Sequence, residues 1–250
     1  MLVLIGLGLW DEKDLTLRGI EEAKSSDKVY FEPYTSIWKG NIQKLKKIVG
    51  KKVVLLRRKD LEENLDKILE EAKNQKISIL VGGDPLVATT HSSIILEAKK
   101  KNVEIRIVHN ASIVSAIAES GLHIYKFGRI VTIPLKEKFS DLPKSVYDGI
   151  KENKKRNLHT LCLLDVDFEK KEFLKVKDAL KILLQMEDEF KEGVISEDSK
   201  IIVLSCLGNN SKIVFDKIKN LLQKDFELPA CLIIPSTLHF TEEEFLALLS

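Results

Sequence analysis

The stretch ISILVGGDPLVATTHSSIILEAKKKNVEIRIVH, Ile77 to His109, decides the fold class. It opens on a β-rich run, 77–83, that closes in the paired glycines Gly82 and Gly83. Asp84-Pro85 then forces a turn, because a residue before proline avoids the helical region. The segment TTHSSIILEAKKK reads as a helix, and VEIRIVH, 103–109, as the next strand. Working towards the N-terminus, the same alternation recurs: a strand at 2–7, a helix at 15–25, a strand at 28–32 and a helix at 41–49 on Ile42, Leu45 and Ile48. A strand follows at 53–57, and then a helix running through Leu65, Ile68, Leu69 and Ala72. Its start is marked by Asp60 with Glu63 three residues on. Alternation of this kind predicts a mostly parallel sheet covered on both faces.

Working towards the C-terminus, strands are predicted at 128–134, 159–166, 200–208 and 230–235. A long amphipathic helix spans 175–190, and a last helix, 242–249, starts at a capping box made by Thr241 and Glu244. The charged segment 135–144, with Pro143, reads as a loop. The expected organisation is two α/β domains, 1–110 and 111–250, with a mostly parallel sheet in the first and a mixed sheet in the second.

Composition narrows the function classes. Of 250 residues, 44% are hydrophobic and 31% charged, which suits a packed core. Forty basic residues against 38 acidic ones leave a formal charge of +2, so nothing global calls for a polyanionic partner such as nucleic acid. The three cysteines, Cys162, Cys206 and Cys231, each lie in an apolar run with no metal-type spacing; buried free thiols are expected, and zinc is not. The N-terminal run reads as a first strand rather than a signal peptide, and no uncharged stretch reaches membrane-spanning length, so a cytoplasmic protein is expected.

Four segments could carry chemistry. GLGLWDE, Gly6 to Glu12, follows the first strand, but Asp11 stands where a dinucleotide fingerprint needs its third glycine, so a tight strand exit explains it as well. VGGDPLVATTH, Val81 to His91, concentrates Gly, Asp, Pro, Thr and His in one loop at the carboxyl end of a strand, where open α/β sheets bind ligands. HNASIVSAI, His109 to Ile117, also follows a strand, and Ser112 can cap the next helix. GLHIYKFG, Gly121 to Gly128, holds His123, Tyr125, Lys126 and Phe127; read as a strand, it places His123, Tyr125 and Phe127 on one face. That face suits either the wall of a crevice or a packed domain interface. No phosphate-cradling GxxxxGK[ST] occurs, so a cofactor without phosphate fits best.

Together, IGLGLWDEKDLTLRG (5–19), YTSIW (34–38), GGDPLVATTH (82–91), HNASIVSAI (109–117), GLHIYKFG (121–128), KEN and LHTLCLLD (within 151–165) and the late IIP…LH (233–239) resemble the diphthine synthase family, within the tetrapyrrole-methylase-like class of methyltransferases. The resemblance implies two α/β domains of the tetrapyrrole methylase type with the cofactor, S-adenosylmethionine, in the crevice between them. It implies transfer of methyl groups to the amine of a modified histidine on translation elongation factor 2, giving diphthine, and a homodimer. The insertion that eukaryotic members carry after the LLD segment is lacking, which resembles the archaeal type. Carried over residue by residue, the cofactor contacts are Leu9, Asp84, Val87, Ser112, Ile113, Leu164, Leu207 and Ala230. The family usually has Ala where Leu207 stands and often His where Ala230 stands. Asp84 and Asp165 are candidates for a proton acceptor by position alone, and no catalytic residue is assigned. The alternatives are a class member that methylates a corrinoid precursor or ribosomal RNA, and a non-catalytic nucleoside-binding module.

Overall fold

A computed structural model of the chain describes residues 1–249. The chain divides into two compact units, Met1–Val114 and the residues from Ser115 onward.

The first unit runs β1 (Leu2–Gly6), α1 (Leu17–Ser25), β2 (Lys28–Glu32), α2 (Ile42–Val49), β3 (Val53–Leu55), α3 (Arg58–Glu62), α4 (Leu65–Asn74), β4 (Ile77–Val81), α5 (Ser92–Lys100), β5 (Ile105–Val108) and α6 (Ile113–Ala116), which runs on into the second unit. Its five strands are all parallel, in the order β3-β2-β4-β1-β5. Strands β1 and β4 are buried at every residue, which is why their sequences read as unbroken apolar runs rather than alternating ones. Alternation appears instead as a choice of face. Leu2 and Leu4 join Ile77 and Ile79 in a core with Leu65, Leu69 and Ile94 of the helices, while Val3 and Ile5 join Leu80 in a second core with Ala23 and Leu45. So α1 and α2 cover one face, and α4 and α5 the other.

This arrangement positions the loops. The chain leaving β1 crosses one face to reach β2; the chain leaving its neighbour β4 crosses the opposite face to reach β5. Diverging connections from two adjacent strands leave a crevice beyond their carboxyl ends, the switch point at which open α/β sheets bind ligands.

The second unit contains β6 (Val131–Ile133), α7 (Lys144–Lys155), β7 (Thr160–Leu164), the small hairpin β8 (Val166–Asp167) and β9 (Glu172–Phe173), α8 (Val176–Phe190), β10 (Lys200–Ser205), β11 (Lys212–Lys217), α9 (Ile218–Leu221), β12 (Ala230–Ile234) and α10 (Phe240–Ala247). The main sheet is mixed, in the order β11-β10-β12-β7-β6, with only β6 and β7 parallel. Its core packs Val131, Ile133, Cys162, Val203 and Leu232 against Tyr147 and Ile150 of α7 and Leu180 and Leu183 of α8. All three cysteines are buried and free. Among the described residues no helix is long and apolar enough to cross a membrane.

Several boundaries differ from the sequence expectations, each for a local reason. The helix expected from Asp60 starts earlier, at Arg58; the Asp60 carboxylate reaches back to the Arg57 N–H at 2.8 Å, and the helix breaks before α4 begins at Leu65. Helix α5 starts at Ser92, not Thr89, because Ala88 sits at a left-handed φ of 56°. The last helix is capped by His239 and Glu242 rather than by Thr241 and Glu244: Glu242 accepts the His239 N–H at 2.7 Å. The segment 121–128 is not a strand. Ile124–Lys126 forms a 3₁₀ turn, entered through Gly121 at φ 76°.

Because Ile79 is fully buried at the middle of β4, between Tyr30 of β2 and Leu4 of β1, Ile79→Ala is expected to lose about 2–5 kcal/mol of stability, measured as a shift of the urea unfolding midpoint. A loss below about 1 kcal/mol would contradict the close packing described.

Candidate functional site

The loops that leave β1, β4 and β5 are fastened to one another at the carboxyl edge of the first sheet. Gly8 and Gly83 form a two-way bridge: the Gly83 N–H donates to the Gly8 carbonyl at 2.8 Å, and the Gly8 N–H to the Gly83 carbonyl at 3.2 Å. The glycines are required by crowding. A Cβ on Gly6 would meet the Gly83 carbonyl at 2.6 Å and the Asn110 side chain at 2.7 Å; on Gly8, at φ 79°, it would run into Asp14; on Gly82, into the Ser36 hydroxyl. The GLG of the first strand exit is therefore a docking seam for the β4 loop. The asparagine of the HNAS segment completes it, since the Asn110 side-chain amide donates to the carbonyls of Gly6 at 3.0 Å and Asp14 at 2.9 Å.

Gly83 differs from the other three. At φ 70° it too favours glycine, but a Cβ there would meet only Ser112, at 3.9 Å. Its missing side chain leaves room above a strand edge, beside the Ser112 backbone. A ligand approaching this point can reach the Gly83 main chain without meeting a side chain of that residue.

Asp84, 5% exposed, is the strongest fastening. One carboxylate oxygen accepts the Leu86 N–H at 2.9 Å; the other accepts the Asn110 N–H at 3.1 Å and lies 2.8 Å from Nδ1 of His109. It closes its own loop and ties that loop to the one after β5. Val87 donates its N–H to the Asp84 carbonyl at 3.3 Å, within the same turn. Leu9, Val87 and Ile113 are half-buried, and Ser112 is buried. The first unit thus brings Leu9, Asp84, Val87, Ser112 and Ile113 to one sheet edge.

The second unit gathers the other three predicted contacts on an edge of its own. Strands β7 and β10 both run antiparallel to β12, which lies between them. Their carboxyl ends therefore share an edge with the amino end of β12. Leu164 ends β7, Leu207 follows β10 and Ala230 starts β12, so residues distant in sequence become neighbours in the sheet. Leu164 and Ala230 pack partly buried against the core of the second unit. Cys206, at φ 57°, turns the chain just ahead of Leu207, and its N–H donates to the Pro229 carbonyl at 2.8 Å.

Asp165 is engaged like Asp84. It accepts the Leu135 N–H at 3.0 Å and the Val166 N–H at 2.9 Å, and holds the Lys138 ammonium. Neither carboxylate that position had suggested as a proton acceptor is free.

The GLHIYKFG segment is organised by Glu242, which is fully buried. Its carboxylate accepts the N–H groups of His123 at 2.8 Å and His239 at 2.7 Å, pairs with Lys126 at 2.5 Å, and takes a hydrogen bond from the fully buried His159 at 3.2 Å. Burial pushes its carboxyl up, but these donors outweigh that and hold it down at about 2. The Ser236 N–H donates to Nδ1 of His159, which puts the ring proton on Nε2, towards Glu242. The expected single face of His123, Tyr125 and Phe127 is not formed. The 3₁₀ turn sends Tyr125 out to 83% exposure, with its ring 5.4 Å from that of His123, while Phe127 packs edge-on to His159. Nothing local in the sequence marks Glu242, because three of its four partners, His123, Lys126 and His159, lie more than 80 residues away along the chain.

A parallel sheet with glycine-lined loops at its switch point, joined in sequence to a mixed α/β unit, is the frame in which the family match falls. The description Tetrapyrrole (Corrin/Porphyrin) Methylases matches residues 1–221, and the chain belongs to that family. Within it, the chain is similar to diphthine synthases over nearly its whole length. It is 46% identical to that of Methanocaldococcus jannaschii over 98% of this chain and 97% of the relative, and 43% identical to that of Methanococcus aeolicus over 98% and 96%. A crystal structure of diphthine synthase superposes with a TM-score of 0.90 at 36% identity, covering 100% of this chain and 95% of the other.

Removing the Asp84 carboxylate leaves part-buried N–H groups of two loops without their acceptor, so Asp84→Ala is expected to destabilise the protein by on the order of 2 kcal/mol. Asp84→Asn, which keeps one acceptor oxygen, should lose distinctly less. Thermal unfolding of the two variants side by side checks the ordering; equal losses would mean that the hydrogen bonds are not what holds the loops.

Proposed function

We propose that the chain transfers methyl groups from S-adenosylmethionine to the amine of the modified histidine on elongation factor 2, as a diphthine synthase acting in the cytoplasm. The observation that carries this reading is 46% identity to a diphthine synthase across 98% of the chain. In the structure, the open space at Gly83 supports it: a ligand can lie against backbone there, beside Ser112, without displacing a side chain. We assign Leu9, Asp84, Val87, Ser112 and Ile113 of the first unit and Leu164, Leu207 and Ala230 of the second to cofactor contact. Asp84 acts there by shaping the loop, since its own oxygens are occupied.

When bound, S-adenosylmethionine supplies a methyl group already activated on a sulfonium. The chain's part is alignment. The Gly8–Gly83 bridge and the Asp84 carboxylate fix the backbone of the cradle, so its geometry does not have to be organised as the reaction proceeds. The exposed Tyr125, its ring tilted against that of His123, is assigned to the approach of the protein substrate, where an aromatic face attracts a methylated cation by about 0.5–2 kcal/mol. The active species is assigned as a homodimer; light scattering that returns the monomer mass of 28.4 kDa would refute it.

Incubating the protein with S-adenosylmethionine and elongation factor 2 carrying the modified histidine should raise the mass of the factor in methyl increments. Binding of the cofactor without modification of the factor would overturn the substrate assignment, and no calorimetric binding would overturn the class of reaction. Gly83→Val places a branched side chain in the cradle at positive φ. It should weaken cofactor binding by more than about tenfold while destabilising the fold by only about 1–2 kcal/mol; normal binding would make the loop purely structural. Tyr125→Ala removes a side chain that packs little, so stability should change by less than about 0.5 kcal/mol. Methylation of the factor should slow while cofactor affinity stays unchanged. Unaltered methylation would remove Tyr125 from the substrate path.

A further inference from the structure

Beneath the 82–91 loop, on the side away from β1, lies a buried pair that the mechanism above does not use. His91, 2% exposed, stands just before α5 and places Nδ1 3.0 Å from the Pro85 carbonyl oxygen. A carbonyl can only accept, so Nδ1 carries the hydrogen. The other ring nitrogen, Nε2, is buried and has no hydrogen-bond partner. What it faces, at 3.7 Å, is Oε2 of Glu32, the last residue of β2, itself 1% exposed.

The Glu32 carboxylate is otherwise well supplied. Oε1 accepts the N–H groups of Tyr34 at 2.7 Å and Thr35 at 2.8 Å, and Oε2 accepts the Thr35 hydroxyl at 2.7 Å. With Glu32 ionised and His91 neutral, two lone pairs confront each other in a dry interior. One proton between them gives both atoms a partner once they close from 3.7 Å by about half an ångström, to hydrogen-bond distance. The same segment also backs the loop sterically, because the Ser36 hydroxyl occupies the space where a Cβ on Gly82 would stand.

We propose that Glu32 and His91 are positioning residues for the methyl-transfer reaction: they share one proton and, through the hydrogen bond from His91 to Pro85, hold the 82–91 loop in the shape that receives the methyl donor. The inference rests on the reading of that loop as the cofactor cradle. The Pro85 carbonyl joins the pair to the cradle, since it is one residue from Asp84 and also accepts the Thr89 hydroxyl at 2.7 Å.

Burial favours the proton on Glu32 over His91 on the acid side of neutrality. It pushes the Glu32 carboxyl from the ordinary carboxylate range up to about 7, even against its hydrogen bonds from Thr35 and Tyr34 and the more distant Arg58 guanidinium of α3. Burial likewise lowers the His91 imidazole, partly offset by the Pro85 carbonyl. Asp60 and Glu62, also of α3, act on the Tyr34 phenol beside the pair. The sign follows. A carboxyl whose folded value is raised contributes stability that is complete below its unfolded value, about 4.5, and is lost as pH rises through about 7. The lowered imidazole contributes in the opposite sense, on the acid side. The latch therefore opens on the alkaline side of neutrality.

Glu32→Gln replaces the shared proton with a permanent amide donor to Nε2 and keeps an acceptor for the Tyr34 and Thr35 N–H groups. Calorimetry with S-adenosylmethionine between pH 6 and 8.5 should show wild-type affinity falling at least about threefold more than that of Glu32→Gln, the titration of the ligand being common to both. Independently of any ligand, ¹⁵N-histidine NMR should find His91 in the Nδ1–H tautomer, with its Nε2 resonance moving near pH 7 in the wild type and fixed in Glu32→Gln. Parallel affinity profiles, or a His91 resonance indifferent to Glu32→Gln, would overturn the proposal. If the wild type binds no S-adenosylmethionine at any pH while the NMR result holds, the shared proton stands and the reading of the loop fails instead.

Discussion

The carboxylate of Asp84 joins two loops that the chain itself connects only through the length of α5. Three donors converge on it: the N–H groups of Leu86 and Asn110 and the ring of His109. An anion removed from water needs such donors to offset its lost hydration, and short charge-assisted bonds supply them. Once it is in place, the other fastenings have a fixed partner. The Gly8–Gly83 bridge adds the loop after β1, and the Asn110 amide holds that loop by the carbonyls of Gly6 and Asp14. Three segments that would each move independently become one surface, with the Gly83 backbone presented on it.

Strand order makes this surface possible. Because β1 lies between β4 and β5 and its own continuation leaves over the opposite face, the connections leaving the carboxyl ends of β1 and β4 diverge. The second unit uses a different device to collect residues at an edge. Its antiparallel pairing alternates strand ends, so a residue finishing β7, one following β10 and one starting β12 stand side by side. The two candidate sets also differ in character: backbone, hydroxyl and carboxylate groups in the first, and three apolar side chains, Leu164, Leu207 and Ala230, in the second.

The first sheet was legible in the sequence because a parallel strand buried on both faces leaves a continuous apolar run, and every strand of that sheet was found within a few residues. The second unit was less so. Helix α7, KSVYDGIKENKK, exposes so much charge that its buried Tyr147 and Ile150 do not stand out, and β11 at the sheet edge carries Lys212 and Lys217 at its ends. Turns decided the remaining errors. The left-handed Ala88 delays α5, and the Glu242 carboxylate, reaching from the last helix to His123, coils a segment whose alternating rings had read as a strand. Neither is visible locally, since Glu242 is far along the chain from the residues it organises. The candidate site was legible as a set of loops but not as a mechanism of support. GGDP and HNAS stood out by composition, whereas Asn110, Glu32 and His91 acquire their roles only from contacts across the sheet.

Those contacts bear on how methyl transfer loses its proton. An attacking amine must present a lone pair, and a carboxylate can remove the proton only if one of its own lone pairs faces the amine. Asp84 directs its oxygens at two backbone N–H groups and His109. Asp165 directs its oxygens at the N–H groups of Leu135 and Val166 and at Lys138. Both oxygens of each carboxylate are thus engaged in hydrogen bonds that hold a loop or a strand exit. Each carboxylate shapes the loops of its own unit. That role suits a reaction whose leaving group needs no protonation, and for which holding donor and acceptor in line supplies most of what a protein can add.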